Sequence, residues 1–134
     1  MAKIVLCEDE KMLQKLFRGF LRSMDHEVHI VSNGLEAFAL IERERPDIIL
    51  TDISMPGCDG FDLAARVKAK PQLAAIPIVF VTGFAQKADM EEAARYGAVG
   101  YLVKPFTGAT LRATITAALR GGRGDESIPP TETL

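Results

Sequence analysis

Three acids, one hydroxyl and one lysine stand where chemistry could be done. Glu8 and Asp9 follow the apolar run Ile4-Val5-Leu6-Cys7, and Asp52 follows Ile48-Ile49-Leu50-Thr51. Thr82 closes Ile78-Val79-Phe80-Val81, and Lys104 follows Gly100-Tyr101-Leu102-Val103. If these runs are neighbouring parallel strands, all five side chains converge at the carboxyl edge of one sheet, where open α/β folds bind ligands. Two like charges ~5 Å apart at an effective dielectric of 20 cost about 3 kcal/mol, so the acids call for a cation. Lys104 supplies one charge. A hard divalent ion, Mg²⁺ foremost, would supply the rest, because it takes oxygen ligands and keeps several waters. Carboxylate, Mg²⁺, hydroxyl and lysine form a phosphoryl-handling set. An aspartate can be the nucleophile that becomes an aspartyl phosphate, while cations and hydroxyl stabilise the oxygens of the group in transfer.

Taken singly, each residue has an ordinary reading. Asp9 reads as the N-cap of the first helix, Glu8 as a solvated loop acid and Lys104 as a surface lysine. Asp52 reads as a turn residue before Pro56-Gly57, and Thr82 as a strand end. Their shared place at strand ends is what sets them apart.

The elements that must position them alternate along the chain. Five runs read as strands: Lys3–Cys7, Glu27–Val31, Asp47–Thr51, Pro77–Thr82 and Gly100–Val103. Continuous β-branched runs such as Ile78-Val79-Phe80-Val81 suit a parallel sheet covered on both faces. Between them Met12, Leu13, Leu16, Phe17, Phe20, Leu21 and Met24 recur at helical spacing. Asn33 with Glu36 predicts a capped helix through about Arg43. A third helix is predicted from near Phe61 to Lys68. A fourth carries Met90, Ala93, Ala94 and Gly97 on one stripe, and a fifth starts near a Thr107 cap. The alternation predicts a doubly wound α/β domain, with right-handed crossovers putting helices on both faces.

The chain has 134 residues, 48% hydrophobic and 25% charged, so one globular domain is expected rather than a disordered or fibrous chain. The domain is expected over 1–120. The aperiodic stretch 121–134 reads as a tail or linker, and Gly121-Gly122-Arg123-Gly124 lacks the strand and the Lys-Ser/Thr of a phosphate loop. The net charge is −2 with basic residues scattered, which gives no nucleic-acid footprint. No apolar run reaches the ~18 residues of a membrane span, and no signal peptide opens the chain. Two cysteines, Cys7 and Cys58, make no disulfide framework, so a cytoplasmic location is expected. Cys7 is expected in the core and Cys58 at the surface. His26 and His29 show no metal-ligand spacing.

Four motifs, in order, make the chain similar to the response-regulator receiver domains of two-component signalling. They are Ile4-Val5-Leu6-Cys7-Glu8-Asp9-Glu10, Asp47 through Gly60, Ile76 through Gly83, and Gly97 through Phe106. The resemblance spans residues 3 to about 120. It implies a five-stranded flavodoxin-like sheet of order 2-1-3-4-5. It implies that Asp52 accepts a phosphoryl group from a sensor histidine kinase or histidine phosphotransfer protein. Mg²⁺ would be held by the side chains of Asp9 and Asp52 and the backbone carbonyl of Ser54, with Glu8 acting through water. Lys104 would pair with Asp52 and then with the phosphoryl oxygens, and Thr82 would move to hydrogen-bond them. Tyr101 would turn inward as the aromatic switch, and the Lys104–Pro105 peptide would be cis. The altered surface would be that of the fourth helix, fifth strand and fifth helix, open to a downstream protein target or to a homodimer. Catalysis would be limited to the domain's own phosphorylation and dephosphorylation. Two features depart from the family pattern: Glu8 stands where Asp is more usual, and Ser54 and Phe84 occupy the positions that tune phosphoryl loss.

Other chemistries fit less well. A dehalogenase-like phosphatase needs an acid two residues after its nucleophile, where this chain has Ser54. A flavin binder needs a hydroxyl- and amide-rich loop after the first strand, and Glu8-Asp9 would repel its phosphate. A degenerate receiver acting as an interaction module, independent of phosphorylation, is the alternative reading. The intact Asp52, Thr82 and Lys104 argue against it.

Overall fold

A computed structural model describes residues 1–55, 58–83 and 87–120, the last segment by backbone alone over 87–89. The predicted tail 121–134, Pro56, Gly57 and Phe84 lie outside the described residues. Ten elements alternate: β1 (Lys3–Cys7), α1 (Lys11–Ser23), β2 (Glu27–Val31), α2 (Gly34–Glu44), β3 (Ile48–Asp52), α3 (Gly60–Lys68), β4 (Ile78–Thr82), α4 (Lys87–Arg95), β5 (Gly100–Val103) and α5 (Gly108–Leu119). All pairings are parallel, in the order β2-β1-β3-β4-β5. The expected order is the one observed, and the reversal next to β1 puts the switch point between β1 and β3.

Strand periodicity divides the core in two. Ile4, Leu6, Ile48, Leu50, Val79, Val81 and Leu102 face Phe17 and Leu21 of α1 and Leu111, Ile115 and Ala118 of α5. Val5, Cys7, Ile49, Ile78, Phe80 and Tyr101 face α2, α3 and Ala93 of α4. Every residue of β3 and β4 is buried, which is why their sequences are apolar without alternation. No described helix is long and apolar enough to cross a membrane.

The helix boundaries have local causes. Asn33 caps α2, its Oδ1 accepting from the Glu36 amide at 2.9 Å. The full reciprocal capping box stands instead at α3, between Asp59 and Asp62. Thr107 caps α5 as expected, its hydroxyl accepting from Thr110 N at 3.0 Å.

Three expectations, on Asp9, Gly97 and Cys58, need correction, and the apolar stripe of α1 divides between core and solvent. Asp9 is not the cap of α1; Glu10 takes that position without a side-chain cap bond, and Asp9 is exposed in the turn before it. Gly97 is not on the stripe of α4, because the helix ends at Arg95 and Gly97 turns the chain away with φ +81°. Met12 and Leu16 keep the helical spacing of α1 but lie on its solvent side, at 75% and 45% exposure. Cys58 is buried, because it packs against the start of α2, where a Cβ on Gly34 would strike its sulfur and carbonyl.

Two glycines make opposite demands. A Cβ on Gly60 would meet the carbonyl oxygen of Asp52 and come within 2.9 Å of Ile53 Cα, so α3 starts directly against the backbone of the central acid. Gly19, inside α1, has nothing within 4 Å of a built Cβ. Gly60→Ala is expected to cost about 1–3 kcal/mol through overpacking. Gly19→Ala is expected to gain about 0.5–1 kcal/mol from helix propensity. Urea unfolding of both variants checks the pair, and equal signs would refute the packing argument.

Candidate phosphoryl and metal site

Parallel order brings the carboxyl ends of β1, β3, β4 and β5 to one edge. Glu8 leaves β1 fully buried, its amide donating to Val31 O at 3.0 Å. Asp52 ends β3 at 8% exposure, and the Thr51 hydroxyl donates to its carbonyl at 3.0 Å. Thr82 ends β4, buried. The Lys104 amide donates to the Thr82 carbonyl at 2.8 Å, which continues the β4–β5 pairing one residue past β5 and fixes where the ammonium starts. The Lys104–Pro105 peptide is cis.

The acids and the lysine meet. Lys104 Nζ lies 3.2 Å from Asp52 Oδ2 and 3.6 Å from Glu8 Oε1. Glu8, Asp9 and Asp52 each offer an oxygen within 4.8 Å of the others'. Ser54 is exposed on the loop leaving β3. Tyr101 is on the α3–α4 side of the sheet, buried, and paired in register with Phe80, two residues before Thr82.

One acid is held in an unusual way. The Glu8 carboxylate turns back so that Oε2 accepts from the Glu10 amide at 3.0 Å. Among the described residues its Oε1 is buried without a hydrogen-bond partner, with the Lys104 ammonium 3.6 Å away. Burial, followed by the Asp52 and Asp9 charges, pushes the Glu8 carboxyl above its usual range; the Glu10 amide and Lys104 pull the other way. A buried carboxylate oxygen with no donor among the described residues, inside three clustered carboxylates of which two meet Lys104, is what a hard cation with oxygen ligands would relieve. The donor set therefore fits Mg²⁺, with Glu8, Asp9 and Asp52 as the side chains that would hold it.

Sequence reasoning missed two contributors. The Glu10 amide carries no signature beyond its place in the turn. Gln14, whose Nε2 donates to the Glu8 carbonyl at 2.6 Å, shows only as a polar residue within the apolar pattern of α1. The cysteines do not form a second site. Cys7 lies under the acids with its sulfur 3.2 Å from that of Met55, and burial pushes its thiol up to about 12. Another acid–imidazole group, Glu27, His29 and Glu44, is already paired internally and with Lys3. A groove of about 410 Å³ lined by Met1, His26, Asp47 and Leu119 lies at the opposite, amino edge of the sheet, away from the acids.

The raised Glu8 carboxyl makes stability depend on pH. The folded chain holds this proton more tightly than the unfolded chain. The group's contribution is thus complete below the usual glutamate range and is lost as pH rises through the folded value. Glu8→Gln is expected to raise stability at pH 7 by on the order of 1 kcal/mol, with the gain vanishing towards pH 4. Urea midpoints with a chelator present, at both pH values, measure it; a loss at pH 7 would refute the reading.

Comparison with known proteins agrees with this geometry. The family model for the response regulator receiver domain matches residues 4–116. Protein PilH of Pseudomonas aeruginosa is 36% identical over 121 residues, which cover 90% of this chain and all of PilH. Chemotaxis protein CheY-3 of Vibrio cholerae is 32% identical, over 82% of this chain and 85% of its own. Among solved structures, the receiver domain of a Pseudomonas aeruginosa sensor histidine kinase, with a magnesium ion coordinated in its active-site cleft, superposes with a TM-score of 0.83. It is 31% identical and covers 89% of this chain and 98% of that one. Sheet order, clustered acids and a match over most of the chain agree, and the chain belongs to the response regulator receiver domain family.

Proposed function

We propose that this receiver is a phosphoacceptor whose Asp52 takes a phosphoryl group from the phosphohistidine of a sensor kinase or phosphotransfer protein. The observation that carries the reading is the Lys104 ammonium 3.2 Å from Asp52 Oδ2, inside a cleft of buried acids. An Asp52 carboxylate oxygen attacks phosphorus as the donor's N–P bond breaks. The electron pair of that bond returns to the imidazole, which takes up a proton, and Asp52 becomes an acyl phosphate. Mg²⁺, held by Glu8, Asp9 and Asp52 and by the backbone carbonyl of Ser54, would neutralise charge on the oxygens in transfer. Lys104 turns from the carboxylate to the phosphoryl oxygens, and Thr82 donates a hydrogen bond to them. Burial of Asp52 and Glu8 strengthens each of these interactions relative to water.

Phosphorylation adds about −1.5 to −2 charge. Drawing Thr82 and Lys104 towards it biases the adjoining ends of β4 and β5, and with them Tyr101 and the α4–β5–α5 face. The output is then a changed docking surface for a downstream protein or a second copy in the cytoplasm. Neither nucleic acid nor membrane is bound by this domain. Beyond its own phosphorylation and hydrolysis of the acyl phosphate, the domain turns over no substrate.

Intact-protein mass after incubation with acetyl phosphate tests this. One phosphoryl adduct is expected, requiring both Mg²⁺ and Asp52 and absent in Asp52→Ala. Lys104→Ala is expected to slow its formation about 10²–10³-fold, the loss typical of one donor aimed at a developing charge. No adduct despite measurable Mg²⁺ binding would favour the interaction module that works without phosphorylation.

A further inference from the structure

We propose that Gln14 is a positioning residue that sets the two β1-end acids, Glu8 and Asp9, for a divalent cation. The inference deepens the phosphoacceptor reading and rests on it only for the purpose the cation serves.

The turn between β1 and α1 lacks the usual means of fixing a helix entry. Glu10, at the N-cap, makes no side-chain cap bond, and the first turn of α1 contains no acid. In place of a cap, Gln14 reaches back from the helix. Its Nε2 donates to the Glu8 carbonyl oxygen at 2.6 Å and lies 3.3 Å from Ser32 Oγ, on the loop between β2 and α2. Its own amide donates to Glu10 O at 3.0 Å. One carboxamide therefore ties helix, turn and neighbouring loop together.

The Glu8 carbonyl belongs to the planar peptide unit that runs from Glu8 Cα to Asp9 Cα. Holding that oxygen sets the tilt of the plane and so the direction in which both side chains leave the backbone. At Glu8 the side chain is fixed at its far end by the Glu10 amide. Asp9 is exposed, and among the described residues no hydrogen bond or ion pair holds its carboxylate. The peptide plane is thus the constraint on where the Asp9 carboxylate points, and Gln14 is the side chain that holds the plane.

Mg²⁺ demands near-ideal ligand placement, so loosening this plane should weaken binding of the ion more than it weakens the fold. The test titrates Mg²⁺ into unphosphorylated wild type, Gln14→Leu, Gln14→Ala and Ser32→Ala, following amide NMR shifts. Phosphorylation rates are then taken across Mg²⁺ concentrations. Gln14→Leu and Gln14→Ala are expected to raise the Mg²⁺ Kd about fivefold to tenfold, the equivalent of one hydrogen bond. Their rate deficit should disappear at saturating Mg²⁺. Ser32→Ala, which leaves the Glu8 carbonyl bond in place, should bind as wild type. Folding is checked by cooperative urea unfolding with a chelator, and the alanine variant serves if the leucine variant does not fold.

Unchanged Mg²⁺ affinity in a folded Gln14 variant overturns the proposal. So does equal weakening by Ser32→Ala, a rate deficit that persists at saturating Mg²⁺, or a wild type that binds no Mg²⁺. A wild type that binds Mg²⁺ yet gives no Asp52 adduct overturns the phosphoacceptor reading instead, and the binding titration still decides the role of Gln14.

Discussion

Everything at the carboxyl edge answers to one electrostatic constraint: three carboxylates within 4.8 Å of one another and, among the described residues, a single ammonium beside them. Glu8 and Asp52 are buried, so water does little to screen them. If all four groups are charged, the cleft carries a surplus of two negative charges. The fold tolerates this because β1 and β3 are paired side by side through Leu6–Leu50 and Cys7–Thr51, which presses the two acidic strand ends together. Moving them apart would mean breaking the centre of the sheet. The repulsion is therefore kept as a standing bias that draws protons, lysine and divalent ions into the cleft, and it adds to burial, the larger cause, in lifting the Glu8 carboxyl. The proposed phosphoacceptor role would use such a cation-hungry site, because the cations that offset the carboxylates would also stabilise the incoming oxygens.

The same sheet packs its two faces differently. One face, with α1 and α5, is closed by Phe17, Leu21, Leu111 and Ile115 and includes the Phe17–Phe106 ring contact at 5.0 Å just past the Lys104–Pro105 peptide. That packing anchors the chain immediately after Lys104. The other face carries Phe80 and Tyr101 side by side, and Phe61 joins them from the start of α3, 5.1 Å from Phe80 and stacked on Tyr96 at 5.2 Å. Tyr96 lies just beyond α4, so aromatic packing runs from Phe80 on β4 through the start of α3 to the carboxyl end of that helix. On the proposed phosphoacceptor reading, these close-packed rings are the contacts through which a displacement near Asp52 would reach α4, because interiors are dense.

Much of this was legible in the residues themselves. Continuous β-branched runs gave the strands and their burial on both faces, and placing the acids, hydroxyl and lysine at the run ends gave the composition of the site. Asn33 and Thr107 announced their helices through side-chain chemistry that acts within three residues. What escaped depends on distance along the chain. Cys58 looked like a loop cysteine because nothing near it shows that Gly34 packs on it. Gly97 fitted a helical stripe because spacing alone does not register a positive φ. The Asp9 cap failed for a local reason: a short acid before a helix is the usual cap, but here the turn is held from Gln14, and Asp9 is left facing solvent.

That arrangement also accounts for the glutamate at position 8. An aspartate there would be one methylene shorter and would present its carboxylate nearer the backbone. With glutamate, the longer side chain folds back until Oε2 reaches the Glu10 amide, and the other oxygen is delivered to Lys104. The extra methylene is taken up in the loop of this return, inside the protein, and does not push the carboxylate out of the cleft. Its cost is rotamer freedom, which burial has already removed. The fold-back works only while the Glu10 amide is correctly aimed, and that amide belongs to the turn whose preceding peptide plane Gln14 holds. Glutamate at this position and glutamine one helical turn into α1 are thus two parts of one geometry: the first supplies the charge, and the second keeps the backbone where that charge can be used.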